Sequence, residues 1–371
     1  MLIYAFCQKG NSSHWTSQYL KGIKEETKRK GHELQILECS LDAADLPQGP
    51  SDAGASIVIS GTYNWTSGIC TLLSSKNIKP IVVGYDQSDD ITATGYVLMD
   101  YKKAIYDLLD YFISSGRRRV ALFAVSLQSP ADKLKSDAFL SYIGENGERF
   151  NQKDIFYFRQ MTINTCQSFI SVCSDYDAVI GTNDVSTSIL LDMLKTHGIR
   201  VPEDIFIATF ADTSLSKSTT NELTLALLNC KAVGVQAAKS CILLSKAHNV
   251  SSSVIKLGCE IEVKGSTANI PYQKTFITAH IAGSHENDSS FFSDPDVSEI
   301  VLAEMLLSKC DTLDLDILRA IEKKEKYIDI AERLHVSENT VKYRIKRLLN
   351  IVGFDSRSKL TALMSGFLRQ E

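Results

Sequence analysis

The sequence predicts an α/β protein with doubly wound parallel sheets, followed by a small all-α bundle. Three observations support this fold class. Short apolar runs alternate with helical patterns over residues 1–268, a stretch rich in Gly, Ser, Asn and Asp follows, and every segment after it has helical periodicity. The chain has 371 residues, which is too long for one ordinary core, so we expect two or three domains.

The predicted strands of the N-terminal region are short and almost continuously apolar, which is typical of parallel strands buried on both faces. Amphipathic helices are predicted between them, and the first of these begins near His14 and ends at Gly31. Two more helices are predicted at 102–115 and 185–197. The predicted strands are 2–6, 33–37, 56–60, 79–85, 119–125, 154–158, 177–181 and 204–210.

The segment 269–297 breaks this alternation and predicts a linker, because Gly, Ser, Asn, Asp and Pro dominate it. Residues 298–371 then predict a bundle of short helices. These helices are expected at 299–308, 314–323, 327–334, 338–352 and 358–369.

The composition predicts a globular protein of the cytoplasm. The net charge is −4, 44% of residues are hydrophobic and 23% are charged. No apolar run approaches the roughly 18 residues that a membrane helix needs, and no basic region precedes the short apolar run at the N-terminus. The nine cysteines are scattered without a Cys-x-x-Cys pair, so we expect reduced thiols, no disulfide framework and no metal site.

The segment "VSENTVKYRIKRLLN" (336–350) predicts a capped amphipathic helix. Ser337 stands at the N-cap, where its hydroxyl can accept a hydrogen bond from a first-turn amide. Apolar residues spaced four, three and four apart predict one buried stripe: Val341, Ile345, Leu348 and Val352. The outward face is basic and aromatic, with Arg344 on its flank: Lys342, Tyr343, Lys346 and Arg347.

A second short helix and a tight connection precede this segment, which predicts a helix-turn-helix whose second helix suits the major groove. Ile330, Ala331 and Leu334 would pack on the buried stripe. From 339 to 369 seven basic residues stand against the single acid Asp355, an excess of six positive charges. The alternative interpretation is a solvated basic face without a partner.

The run "IAERLHVSENTVKYRIKRLLNIVGFDSRSKL" resembles the LuxR-type helix-turn-helix of bacterial regulators, and "NTVKYRIKRL" is also similar to modules of purine-catabolism regulators. The LuxR-type resemblance implies dimeric binding to double-stranded DNA. It implies that Lys342, Tyr343 and Lys346 approach bases, and Asn339 belongs to the same predicted surface. It implies a set that mainly holds phosphates: Ser337, Thr340, Arg344 and Arg347. In two departures, Asp314 replaces the expected Glu, and Arg344 replaces a common His.

The N-terminal region resembles the effector-binding domain of the lactose-repressor family, itself similar to periplasmic sugar-binding proteins. The motifs include "PIVVGYD", "GTNDVS", "GIRVPEDI" and "EVKGSTA". The resemblance covers 1–268 and implies two α/β lobes with a ligand cleft at the strand ends, which agrees with the general rule for open parallel sheets. The implied lobes are 1–98 with 229–252, and 99–228 with 253–268.

The resemblance implies a set of effector-binding residues. Asn183 and Asp184 match the family's "ND", Lys135 replaces a ligand-clamping Arg, and Ala211 replaces the first Asp of a "DD". Loss of the Arg fork and a carboxylate disfavours an ordinary free sugar. The complete set is Trp15, Tyr63, Tyr85, Lys135, Asn183, Asp184 and Asp212. In the alternative interpretation Asn183 and Asp184 only cap a helix, and the aromatic residues only pack.

The two resemblances together predict a ligand-responsive transcription regulator that forms a homodimer and needs no cofactor. Its partners would be double-stranded DNA and a small molecule, with sugars and sugar derivatives as one class. The alternative is a solute-binding or sugar-sensing protein whose bundle contacts another protein. An enzyme is disfavoured because the seven histidines show no metal-ligand or triad spacing. A phospho-acceptor domain is also disfavoured, because it needs an acidic pair after the first strand, where this chain has "CQKGNSS".

Overall fold

Two six-stranded sheets form the core of the N-terminal region in the computed structural model, which describes residues 1–10, 14–41, 54–87, 91–211, 223–247, 249–268, 302–303 and 305–365. The described strands are β1 (Leu2–Gln8), β2 (Glu33–Cys39), β3 (Ala55–Ile59), β4 (Lys79–Val83), β5 (Gly95–Met99), β6 (Val120–Val125), β7 (Ile155–Tyr157), β8 (Ala178–Gly181), β9 (Phe206–Ala211), β10 (Thr224–Leu227), β11 (Ser253–Leu257) and β12 (Glu260–Glu262).

The described helices alternate with the strands and then continue alone. They are α1 (His14–Arg29), α2 (Tyr63–Ser75), α3 (Tyr101–Ser114), α4 (Pro130–Ser141), α5 (Thr162–Ile170), α6 (Asp184–Thr196), α7 (Cys230–Lys246), α8 (Thr312–Glu322), α9 (Tyr327–Arg333), α10 (Glu338–Val352) and α11 (Arg357–Ser365). Residues 302–303 and 305–307 are also helical.

Sheet one has the strand order β11-β5-β4-β3-β1-β2, and sheet two has the order β12-β10-β9-β8-β6-β7. The pairs β1–β2, β3–β4 and β4–β5 are parallel, as are β6–β8 and β8–β9. Parallel pairs need crossover connections, and helices supply those of β1–β2 (α1), β3–β4 (α2) and β8–β9 (α6). The predicted fold class is therefore confirmed: two-lobed doubly wound α/β with an all-α bundle.

Continuous apolar runs predict the central strands β3, β6, β8 and β9 correctly, but not the equally buried β5. β3, β5, β6, β8 and β9 are buried at every position, whereas the edge strands β2 and β11 are largely or alternately exposed. The prediction missed β5, β10, β11 and β12. The alternating "SVIKL" of β11 marks an edge strand, which carries a weaker apolar signal than a buried one.

The chain forms two compact units. Unit one comprises Met1–Ser114, Val125–Lys153 and Ala226–Glu262, and unit two comprises Ser115–Ala124, Asp154–Leu225 and Val263–Glu371. The sequence places β11 in lobe two, but β11 pairs with β5 in sheet one, where Val254 lies beside Tyr96. The edge of β5 offers unpaired backbone groups that β11 satisfies. α3 and α4 also belong to unit one, although both are predicted for lobe two. The predicted linker 269–297 lies outside the described residues.

Among the described residues, no helix has both the length and the apolar character needed to cross a membrane. All nine cysteines are free thiols, and six of them are buried. Burial raises the pKa of the Cys7 and Cys70 thiols to about 12, so both stay protonated at neutral pH and lack nucleophilic character.

Candidate nucleic-acid interface and effector site

The helix α10 begins and ends where its sequence predicts. The Ser337 hydroxyl accepts a hydrogen bond from the Thr340 amide at 3.0 Å, which caps the first turn. Gly353 follows the helix with φ of 69°, a left-handed conformation that glycine adopts without strain. The predicted stripe is confirmed, because all four of its residues are buried: Val341, Ile345, Leu348 and Val352.

A tight turn joins α9 to α10. His335 takes a left-handed conformation with φ of 53°, and the Val336 amide donates to the Ala331 carbonyl at 3.0 Å. This bond spans five residues, as in a Schellman ending. Ile330 and the small Ala331 are buried in the apolar cluster that also holds the α10 stripe. The chain therefore has helix-turn-helix geometry at 327–352.

One face of α10 is exposed and cationic. Tyr343 is 68% exposed, and Lys342, Lys346 and Asn339 are exposed as well. Lys342 Nζ lies 2.7 Å from Glu338 Oε1, but both side chains are solvent-exposed. Such surface pairs contribute little, so this lysine can exchange its partner for a phosphate or a base at small cost. Lys342, Tyr343 and Lys346 lie on one face of α10, as their spacing predicts, and Asn339 is exposed one turn before them.

The arginines of α10 are engaged within the bundle. Arg344 Nη1 donates to Asp314 Oδ1 at 3.0 Å and also to Asp311, while Arg347 Nη2 donates to the other Asp314 oxygen. The Asp314 side chain is fully buried. Arg347, which is predicted to face outward beside Lys346, is 38% exposed but directs its guanidinium to Asp314, because a buried carboxylate on α8 requires cationic partners. Both arginines anchor α10 to α8.

A capping box of two aspartates, Asp311 and Asp314, begins α8, and their spacing of three residues was the available sequence signal. Asp311 is the N-cap and accepts from the Asp314 amide at 2.9 Å, while Asp314 accepts from the Asp311 amide at 3.0 Å. The hydrogen bond from Arg344 lowers the pKa of Asp311 to about 2, with smaller contributions from Asp314. Sequence reasoning noted Asp314 only as a departure from the LuxR-type pattern and missed this role.

Polar groups of unit one gather at the carboxyl ends of the strands of sheet one. Gln8 ends β1, and its side-chain oxygen accepts from the Thr62 amide at 2.7 Å, just after β3. A Cβ on Gly61 would come within 2.3 Å of that oxygen, so a larger residue at 61 would displace the Gln8 side chain. Sequence reasoning missed Gln8, although its position at the end of the first strand was the available signal.

The predicted aromatic residues of unit one differ in their surroundings. The hydroxyl of Tyr85 donates to the Gly61 carbonyl at 3.2 Å, and burial raises the pKa of Tyr85 to about 12. Tyr85 thus packs in the core, as in the alternative interpretation. The ring of Tyr63 packs edge-on against the ring of Tyr85, with 6.3 Å between the ring centres, and Tyr63 is 42% exposed. Trp15 is half-buried at the start of α1. Tyr63 and Trp15 keep surface that a ligand can contact.

Lys135 forms a buried ion pair within unit one. Its Nζ lies 3.0 Å from Asp132 Oδ1 and 5.1 Å from the centre of the Tyr101 ring. Asp132 Oδ2 also accepts from the Ser126 amide at 3.1 Å. Lysine thus contributes a point charge that is already neutralised by its neighbour, where the family pattern has a guanidinium fork.

In unit two, Asn183 lies between β8 and α6, and Asp184 is the first residue of α6. The Asn183 side-chain oxygen accepts from the Ser186 amide at 2.9 Å, so Asn183 caps α6. Asp184 is buried. The Thr187 hydroxyl lies 2.9 Å from that of Thr209 in β9, which fixes the helix on sheet two. The predicted Asp212 lies outside the described residues.

Two family models match separate parts of the chain. One is described as a periplasmic binding protein-like domain and matches residues 109–267. The other is described as a winged helix-turn-helix DNA-binding family and matches residues 311–351. The second match covers α8, α9 and most of α10, so it agrees with the helix-turn-helix seen in the structure.

Known regulators are similar to this chain over part of their length. Catabolite control protein A of Priestia megaterium is 23% identical over 176 residues, which are 46% of this chain and 53% of that protein. HTH-type transcriptional repressor CytR of Escherichia coli strain K12 is 22% identical over 200 residues, 53% of this chain and 58% of that protein. The chain thus spans a little over half the length of these relatives.

A solved structure shares the fold. The complex of transcriptional regulator CelR with cellobiose has a TM-score of 0.61 at 14% identity, over 71% of this chain and 84% of that chain. The chain therefore combines a periplasmic-binding-protein-like domain with a C-terminal helix-turn-helix, and it is homologous to regulators such as catabolite control protein A and CytR.

Proposed function

We propose that this protein is a ligand-responsive transcription regulator that binds double-stranded DNA through α10. The observation that carries the proposal is the cationic face of α10, on which Lys342, Tyr343 and Lys346 are exposed beside a tight helix-turn-helix connection. Cationic side chains on the second helix of such a motif can contact phosphates and base edges in the major groove. Ser337, Asn339 and Thr340, at the start of the same helix, complete the proposed contact surface.

We further propose a LuxR-type arrangement of the bundle. Within residues 305–365, α10 is followed by the helix α11 and by no strand, whereas a wing is built from strands. The helices α8, α9, α10 and α11 follow one another in the order of the LuxR-type pattern, in which α10 is the helix that reads DNA. Arg344 and Arg347 then hold the reading helix on α8, and any phosphate contact would have to compete with Asp314 for them.

The proposed effector is a small polar molecule, with sugars and sugar derivatives as the first class to test. Each unit by itself offers hydrogen-bond donors and acceptors at the carboxyl ends of its sheet: Gln8, Thr62 and Tyr63 in unit one, and Asn183 in unit two. Ligands of open parallel sheets bind at these ends. CelR, which shares the fold, is seen with cellobiose. The buried Lys135–Asp132 pair carries no net charge, so it offers an anionic effector no attraction.

Binding of the full chain to a duplex tests the DNA-binding proposal. We expect fluorescence anisotropy with a 30-base-pair duplex of random sequence to show binding that weakens steeply between 50 and 200 mM salt, since lysines release counterions from phosphates. We also propose that the protein is a homodimer in the cytoplasm, because one copy of α10 reads one half-site and two copies read the two half-sites of an operator. Absence of salt-dependent binding would exclude the proposal in favour of a bundle that contacts protein.

Substitution of Asn183 with serine separates ligand binding from helix capping. Serine caps helices about as well as asparagine, so we expect the free energy of unfolding to change by less than about 0.5 kcal/mol. The amide is lost, so we expect a smaller rise in melting temperature with whichever compound stabilises the wild-type chain most in a screen of sugars, sugar phosphates, nucleosides and amino acids.

Asn229 offers a matched control for this substitution. It caps α7 in the same way, accepting from the Ala232 amide at 2.9 Å, and it is outside the proposed effector set. Asn229→Ser should leave the ligand-induced rise intact. An unchanged rise in Asn183→Ser would show that Asn183 serves as a cap alone.

A further inference from the structure

The helix α6 packs on two different partners within unit two. One face lies on sheet two, where Thr187 meets Thr209 and where Leu190 and Leu194 are fully buried. Another face belongs to the core of the C-terminal bundle. Val185 is only 7% exposed and lies in the same buried apolar cluster as Ile317, Leu318 and Val341. The bundle is therefore docked on α6 as well as joined to it through the chain.

The docked face follows helical spacing. Val185 and Ile189 are four residues apart, so they lie on one side of α6, and Ile189 packs against the same cluster while half-buried. Val185 lies in the first turn, directly after Asn183 and Asp184. The side chains proposed to meet the effector and the side chains that meet the bundle are thus within one turn of each other.

The start of α6 is held firmly on sheet two. Asn183 caps the helix, the Thr187 hydroxyl donates to the Asn183 carbonyl at 2.6 Å, and the Thr182 hydroxyl donates to the Ala124 carbonyl at 2.7 Å. A Cβ on Gly181 would come within 1.8 Å of Thr187 Oγ1, so the strand and helix approach as closely as glycine permits. A ligand that shifts Asn183 or Asp184 must therefore shift the surface under the bundle.

We propose that α6 is the mechanical link between effector binding and DNA binding in this protein. The inference rests on the proposed function, because it needs an effector at Asn183–Asp184 and DNA at α10. A ligand that favours one placement of α6 changes how strongly the bundle docks, and the bundle carries α10. Coupling of this kind is reciprocal, so a duplex on α10 also acts on α6. In this proposal the effect of ligand binding reaches the bundle through α6, so it does not depend on residues 269–301.

Hydrogen–deuterium exchange of the full chain tests the docking without DNA. Ile189→Glu places a charge against the apolar cluster, and we expect the amides of α8 to exchange about ten-fold faster, the factor for roughly 1.4 kcal/mol. Val185→Ala removes buried methyl groups without adding charge and should act in the same direction. Met193→Glu is the matched control, since Met193 is half-buried one turn further along α6 and outside the described cluster. Unchanged exchange in both cluster variants would overturn the docking.

The same measurement with the 30-base-pair duplex tests the coupling. We expect the duplex to change the exchange of residues 184–191 in the wild type and in Met193→Glu. The response should be lost in Ile189→Glu while this variant still binds the duplex. A duplex that binds without any change in α6 overturns the coupling and leaves the proposed function standing. A wild-type chain that does not bind the duplex overturns the proposed function and the coupling together, while the duplex-free comparison still decides the docking.

Discussion

Substitution of Asp314 with alanine should lower the free energy of unfolding of the C-terminal bundle by about 2–4 kcal/mol, because it leaves two arginines without their carboxylate. Asp314 is fully buried and accepts from Arg344, Arg347 and the Asp311 amide. The value is at the lower end for buried pairs because both arginines reach solvent in part. Hydrogen exchange of residues 312–365 at increasing urea concentration measures the effect.

Asp316 provides the control on the same helix. It pairs with Arg319 at 3.3 Å, and both side chains are exposed. Asp316→Ala should therefore cost less than about 1 kcal/mol. Equal effects of the two substitutions would show that the arginine cluster contributes no more than a surface pair does. Asp314→Ala should also weaken duplex binding, since α10 would lose its ion pairs with α8 and keep only the apolar contacts.

Replacement of both Lys342 and Lys346 with alanine should reduce duplex affinity by about ten-fold or more and make the salt dependence shallower by about two ion equivalents. Both lysines are exposed on α10, so their removal leaves the apolar stripe and the Ser337 cap unchanged. Fluorescence anisotropy at several salt concentrations gives both quantities. The melting temperature should stay close to that of the wild type.

Lys133→Ala is the matched control for charge removal. This lysine lies on α4 and pairs with Asp137 at 2.8 Å, with both side chains exposed. Its loss should change neither duplex affinity nor the salt slope. If the double variant binds as tightly as Lys133→Ala, the cationic face of α10 is not the DNA-binding surface.

For α10, the sequence predicts the local features of the helix but not the partners of its arginines. The cap at Ser337 and the buried stripe follow from spacing within fifteen residues, and both are present in the structure. The partners of the arginines do not follow from that spacing, because Asp314 lies 30 residues before Arg344 and 33 before Arg347. A basic residue on the flank of a helix has the same local pattern whether it faces DNA or a buried carboxylate.

The effector residues show the same division. Sequence order placed Asn183 after one predicted strand and Tyr85 at the end of another, which is where ligands of parallel sheets bind. Burial then decided that Tyr85 packs in the core with its hydroxyl on the Gly61 carbonyl. Asn183 can serve both as a helix cap and as a ligand contact, because its side-chain oxygen caps α6 while the amide group of the same side chain can bind a ligand.

The sequence by itself determined the fold class, the alternation of buried strands with helices, and the two faces of α10. These features rest on periodicity and capping, which act between residues a few positions apart. Only the tertiary structure decided that β11 joins sheet one, that Asp314 collects both arginines, and that α6 carries the bundle on Val185 and Ile189. Each of these depends on which distant groups satisfy a free strand edge, a buried charge or an apolar face, and that choice is made by the whole fold.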